Sequence, residues 1–195
     1  MTASSTRSCR SPSWIAAALG VLLLGLCALA PARAADGIEV RKAALVAAEE
    51  GYFLEAEFDI TLTQTLEDAL SKGVPLYFML EFELIRPRWY WLNERMASKR
   101  QQYRLGYNAL TRQYRVGVGT LYQNFASQAE ALAFLSRARL SDIAEPGALG
   151  KGASYTAALR MRLDGSQLPR PFQISAVGSR EWSVGSDWHR WTVSP

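Results

Sequence analysis

The chain has 195 residues, 49% of them hydrophobic, with 22 basic and 18 acidic side chains and a formal charge of +4. Its single histidine, His189, and two cysteines, Cys9 and Cys27, are too few for the imidazole and thiolate sets that hold catalytic zinc or iron. Arg7, Arg10 and Arg33 lie in the first 34 residues with no acid beside them. Removing these three of the 22 leaves 19 basic against 18 acidic side chains, a net +1, so composition does not ask for a nucleic-acid partner.

Residues 1–34 read as a secretory signal peptide. Arg7 and Arg10 precede the uncharged run WIAAALGVLLLGLCALA (Trp14–Ala30), and Ala32-Arg33-Ala34 follows, the order of basic, apolar and small-residue regions that marks export. Cleavage is expected after Ala34, placing residues 35–195 in the periplasm with no membrane span after cleavage. The apolar run falls short of the ~20 residues that span a bilayer comfortably; retention as an uncleaved inner-membrane anchor is the alternative. Leu26 precedes Cys27, where lipid attachment wants a small residue. Both cysteines leave with the leader. The mature chain must then be held by a hydrophobic core, and ~160 residues suffice for one domain.

GIEVRKAALVA (Gly37–Ala47) and YFLEAEFDI (Tyr52–Ile60) read as strands around a Glu49-Glu50-Gly51 turn. The second alternates, with Leu54, Ala56, Phe58 and Ile60 on one face and Glu55, Glu57 and Asp59 on the other, the period of a half-buried antiparallel strand. Thr63–Gly73 predicts a short helix with Leu66, Ala69 and Leu70 at helical spacing. PLYFMLEFELIRP (Pro75–Pro87) is the strongest strand, with Leu80, Phe82 and Leu84 inward and Glu81 and Glu83 outward. Lys99–Tyr107 and Arg112–Val118 predict a hairpin around Asn108–Thr111, with Lys99, Gln101 and Tyr103 outward. Ser127–Arg139 reads as the clearest helix, capped by Ser127 with Glu130 three residues on. After a loose stretch (Ala144–Ser154), Tyr155–Asp164 alternates Leu159, Met161 and Leu163 with Arg160 and Arg162. Phe172–Val177 reads as the last strand, ahead of a glycine-punctuated tail holding Trp182, Trp188 and Trp191. These elements predict a mainly β, single-domain protein: an antiparallel β-sandwich with two short edge helices.

The segments GIEV, GVPLYFMLEFEL, RPRWYWLNE, YRLGYNALTRQYRV, LRMRLD, LPRPFQI and SDWHRW together resemble the exported proteobacterial family catalogued as domain of unknown function 4390. The likeness covers essentially the whole mature chain. The resemblance carries no established activity and no assigned catalytic residue, and no cofactor is expected. It does imply a genomic neighbourhood, since members are often encoded beside a membrane sensor kinase of the nitrogen-regulation type.

The side chains limit the chemistry further. Ser186, Asp187 and His189 are close in sequence, but triad members normally come from separate loops and no Gly-x-Ser-x-Gly elbow is present. The Gly-x-Gly within Arg115–Thr120 lacks a third glycine and a βαβ frame. Outward carboxylates such as Glu81 and Glu83 would suit a glycan hydrolase if paired in a cleft. The competing reading sets them against outward arginines, Arg160 and Arg162, on a neighbouring strand. The stretch RPRWYWLNER sets Arg86, Arg88 and Arg95 around three aromatics. In extended backbone Trp89 and Trp91 take one face, expected to be core, and Arg88 and Tyr90 the other. Aromatics beside arginine are enriched in binding hot spots. The binding candidates are therefore Arg86, Arg88, Tyr90 and Arg95, with Trp188 and His189 from the tail. The sequence points to a non-enzymatic periplasmic binding domain whose partner is an envelope protein or a glycan; the resemblance implies a membrane sensor kinase as one such envelope protein. An envelope glycan hydrolase and a structural envelope protein are the alternatives.

Overall fold

A computed structural model of the chain describes residues 37–88, 90, 93–150, 152–176 and 178–194. Residues 1–34, where a leader is expected, and the Trp89/Trp91 pair lie outside the described residues. Strands β1 (Gly37–Ala48) and β2 (Gly51–Thr61) form a hairpin, and β7 (Arg137–Ala144) adds to β2, giving the order β1-β2-β7. A second sheet contains β3 (Leu76–Arg86), β4 (Glu94–Asn108), β5 (Gln113–Val118), β6 (Leu121–Phe125), β8 (Tyr155–Leu163) and β9 (His189–Val193), in the order β6-β5-β4-β3-β8-β9. Every pairing is antiparallel. Buried side chains of both sheets belong to one hydrophobic cluster. This is the expected β-sandwich.

The alternation read from the sequence decides which faces meet. Leu54, Ala56, Phe58 and Ile60 of β2 are buried, as are Tyr155, Ala157, Leu159, Met161 and Leu163 of β8. Leu76, Phe78, Leu80, Phe82 and Leu84 of β3 are wholly excluded from solvent, each stabilising the fold by roughly 1.5–3 kcal/mol. Glycine is required at the β1–β2 turn. Gly51 has φ +130°, and a Cβ there would meet the Ala144 carbonyl oxygen at 2.5 Å.

Helix α1 (Gln64–Ser71) follows the sequence reading, with the Thr63 hydroxyl accepting from the Leu66 amide and Leu66, Ala69 and Leu70 buried. Helix α2 (Gln128–Leu135) starts at the expected Ser127 cap but ends earlier than Arg139, and the chain enters β7 at Arg137. The Phe58 amide donates to the Ser136 carbonyl, so pairing with β2 captures the backbone there. The expected strand Phe172–Val177 falls instead on helix α3 (Arg170–Ala176), with Pro171 in its first turn, where a missing N–H costs nothing. Three helices thus stand among the described residues, with β6 and β9 as strands in segments that carried no strand signal. Lys99 and Gln101 take the inner side of β4, opposite Phe82 and Leu80, not the outer one, and so does Tyr103, opposite Phe78. It is 4% exposed, and burial pushes its phenol up to about 12.

Candidate functional site

With Phe78, Leu80 and Phe82 turned inward, β3 presents Tyr77, Met79, Glu81 and Glu83 on the opposite side. Its neighbours fall into register on that outer face. Arg100 of β4 and Arg160 of β8 both lie opposite Glu81, while Arg104 lies opposite Tyr77 and Arg162 opposite Met79. Arg95 lies opposite Ile85, Arg115 of β5 opposite Gly106, and Arg190 of β9 opposite Ala158. The outer ladder positions therefore carry seven arginines against two carboxylates. Residues 35–195 hold 19 basic and 18 acidic side chains, so this face is far more basic than the domain as a whole.

Glu81 is the hub. Its carboxylate is 8% exposed and takes Arg160 Nε at 2.5 Å, Arg162 Nε at 3.5 Å and Arg100 Nε at 3.6 Å. Burial alone would push its pKa up; hydrogen bonds and charges from Arg160 and Arg162 outweigh that and hold it below the usual carboxylate range. Glu83 faces Arg95 at 3.6 Å. On the three-stranded sheet, Asp59 pairs with Arg41 and Glu57 with Lys42, and Glu55 lies opposite Arg139. A glycosidase acid must stay protonated at working pH, through a raised pKa. Glu81 is driven the other way and its oxygens are occupied by guanidinium groups. The carboxylates anchor arginines.

The six sequence-derived candidates divide. Arg95 and Trp188 belong to the arginine face: the Arg160 guanidinium sits 4.5 Å from the Trp188 ring centroid, and Arg95 pairs with Glu83 on the same side. Arg86, Arg88 and Tyr90 lie at the β3–β4 end of the sheet. There Arg86 opposes Glu94 in register, Arg88 forms an ion pair with Glu94, and Tyr90 is 71% exposed. His189 opposes Leu159 and stands 5.6 Å from Trp191, on the inner side of β9. Trp188 and His189, adjacent in sequence, face opposite ways. Trp191 packs toward Phe82 at 6.3 Å, and Trp182 is buried against Phe172. The Ser186 hydroxyl accepts from the Met161 amide at 3.0 Å, so that serine ties the tail to β8. Among the described residues no hydrogen bond joins it to His189.

Sequence reasoning placed Arg160 and Arg162 outward but missed Arg100, Arg104, Arg115 and Arg190, together with Tyr77 and Tyr122. Their signal is the alternation of arginine with apolar residues, visible once the strand order is known. No cluster of three or more metal-ligating side chains occurs among the described residues. No helix among them is long and apolar enough to cross a membrane.

The fold and this face define a small antiparallel β-sandwich with one open, arginine-bearing sheet surface. Residues 35–192 match the family model described as domain of unknown function DUF4390, and the chain belongs to that family. No curated protein and no solved structure matches it.

Proposed function

We propose that the protein is a non-enzymatic binding domain of the periplasm, and that the outer face of its six-stranded sheet docks an acidic surface of an envelope protein. A membrane sensor kinase is the kind of partner this reading favours. The observation that carries it is the imbalance of that face, seven arginines against two carboxylates that are already ion-paired, with Trp188 half-buried against Arg160. Arginine and tryptophan dominate interface hot spots. An excess of fixed positive charge also speeds encounter with an acidic partner and makes it salt-sensitive.

In-cell crosslinking followed by recovery of the tagged protein tests the assignment. Arg95→Ala and Trp188→Ala should each lower the yield of the crosslinked species at least tenfold, the loss of a hot-spot side chain worth about 2 kcal/mol or more. Arg139→Ala, on the three-stranded sheet, should leave it unchanged. Unchanged yields for both face variants, in proteins that melt normally, would overturn the reading.

A further inference from the structure

Across the same sheet from Trp188, the outer face opens into a cleft of about 470 Å³, within the size range of small-ligand sites. Arg104 and Gly106 of β4, Arg115 of β5, and Tyr122 and Asn124 of β6 line it. A smaller depression of about 270 Å³ beside Tyr77 and Gln102 shares Arg104 and Tyr122 with it.

Its two arginines differ from the four that anchor on Glu81 and Glu83. Arg95, Arg100, Arg160 and Arg162 are ion-paired to Glu83 or Glu81. Among the described residues no carboxylate lies within ion-pair distance of Arg104 or Arg115. Both are nonetheless positioned. The Arg104 guanidinium lies 5.8 Å from the centroid of Tyr77, and that of Arg115 lies 5.3 Å from the centroid of Tyr122. Arg115 Nε donates to Asn124 Oδ1 at 3.1 Å, which leaves its two terminal nitrogens unused by that bond. The Tyr122 ring lies against the β5 backbone because Gly117 carries no side chain; a Cβ there would fall 2.6 Å from the ring.

Arg104 opposes Gly117, and Arg115 opposes Gly106. The two arginines are therefore diagonal neighbours across β4 and β5, about 7–8 Å apart at the backbone. Two long guanidinium side chains at that spacing can converge on one small anion. A single carboxylate is satisfied by one guanidinium fork. Two forks match the three oxygens and double charge of a phosphate monoester better.

We propose that this cleft binds a phosphate-class oxyanion, as a free solute or as the monoester headgroup of a lipid. The cleft lies apart from the Arg95–Trp188 patch, and its test involves neither residue. The full chain would be titrated calorimetrically with inorganic phosphate and with acetate. It would also be mixed with phosphatidylcholine vesicles with and without phosphatidic acid. Phosphate should bind more tightly than acetate, and Arg104→Gln or Arg115→Gln should each weaken it about tenfold, with Arg139→Gln unchanged. Association with phosphatidic acid vesicles that phosphate competes away would identify the headgroup as the source; phosphate binding without vesicle association would identify a free solute. If a glutamine variant melts early, Arg104→Lys and Arg115→Lys keep the charge, lose the fork, and should still bind more weakly. The inference is overturned if neither phosphate nor phosphatidic acid binds, if acetate binds as tightly as phosphate, or if the paired lysine variant binds phosphate like the unaltered chain.

Discussion

Replacing Glu81 with glutamine isolates the hub of the arginine lattice while preserving side-chain volume. The glutamine oxygen can still accept from Arg160, but the attraction between opposite charges behind that 2.5 Å bond is lost, and a glutamine NH2 would face guanidinium donors. Removing one partner from a fully buried ion pair costs about 3–5 kcal/mol. Here Arg160, Arg162 and Arg100 are 32%, 42% and 72% exposed, so water relieves part of the imbalance and about 2–3 kcal/mol is expected. Glu83→Gln provides the contrast. That carboxylate is 26% exposed and meets one 64% exposed arginine at 3.6 Å, a contact worth about 1 kcal/mol or less. For a domain of this size each kcal/mol moves the melting midpoint by about 2–4 °C. Glu81→Gln should therefore melt about 5–10 °C low, and Glu83→Gln less than about 4 °C low. Parallel thermal and urea denaturation of both variants measures the difference. Equal shifts, or a Glu81→Gln shift below about 2 °C, would refute the hub. A folded Glu81→Gln protein that reproduces the full phenotype of a gene deletion would return weight to the hydrolase reading.

The pH dependence has a definite sign. Glu81 is held below its unfolded pKa, so its contribution is present above the ordinary carboxylate range and lost as pH falls through the lowered folded value; acid titration of stability should be less steep in Glu81→Gln. Gly51→Ala should cost more than about 2 kcal/mol in denaturant titration, combining a backbone that disfavours side chains with the 2.5 Å approach to Ala144. Gly119→Ala, with open space around its Cβ, should cost only about 1–2 kcal/mol. The expectation of export predicts that N-terminal sequencing of protein from the periplasmic fraction begins at or near Ala35; recovery of the domain from the cytoplasm would contradict it.

The elements legible in the sequence are those with one wet face and one dry face. β2, β3 and β8 alternate because their inner residues fill the core, and α1 announces itself through Thr63 and its apolar stripe. β6 and β9 are edge strands; β6 is exposed along most of its length, so no burial period marks it. β7 was hidden by composition: Ala-Leu-rich sequence runs on past α2, and only pairing with β2, with Ala138 opposite Ala56, turns it into a strand. In α3 Phe172 and Ile174 mimic strand alternation, while its start is held by local bonds from the Gln173 side chain to the carbonyls of Ser166 and Leu168, both at 2.7 Å. The candidate site shows the same limit. That Glu81 and Glu83 would face arginines followed from spacing within two strands. Which arginines converge depended on the order β5-β4-β3-β8, a relation among segments far apart in the chain.

That strand order has a consequence for how the molecule acquires its structure. β3 has one neighbour, β4, next to it in the chain, but its other neighbour is distant, with Glu81 and Arg160 separated by 79 residues. Until β8 arrives, the most apolar strand of the protein has an unsatisfied backbone edge, the condition in which nascent chains pair with the wrong strand or with one another. During that interval Glu81 and Glu83 are charges on an open edge. Charges so placed discourage adventitious strand addition, and the basic strand that eventually docks there is selected by them. On this argument the two carboxylates would serve as gatekeepers in the immature chain before they become anchors in the finished sheet. Apolar replacements at both positions would have their largest effect on the yield of correctly assembled protein.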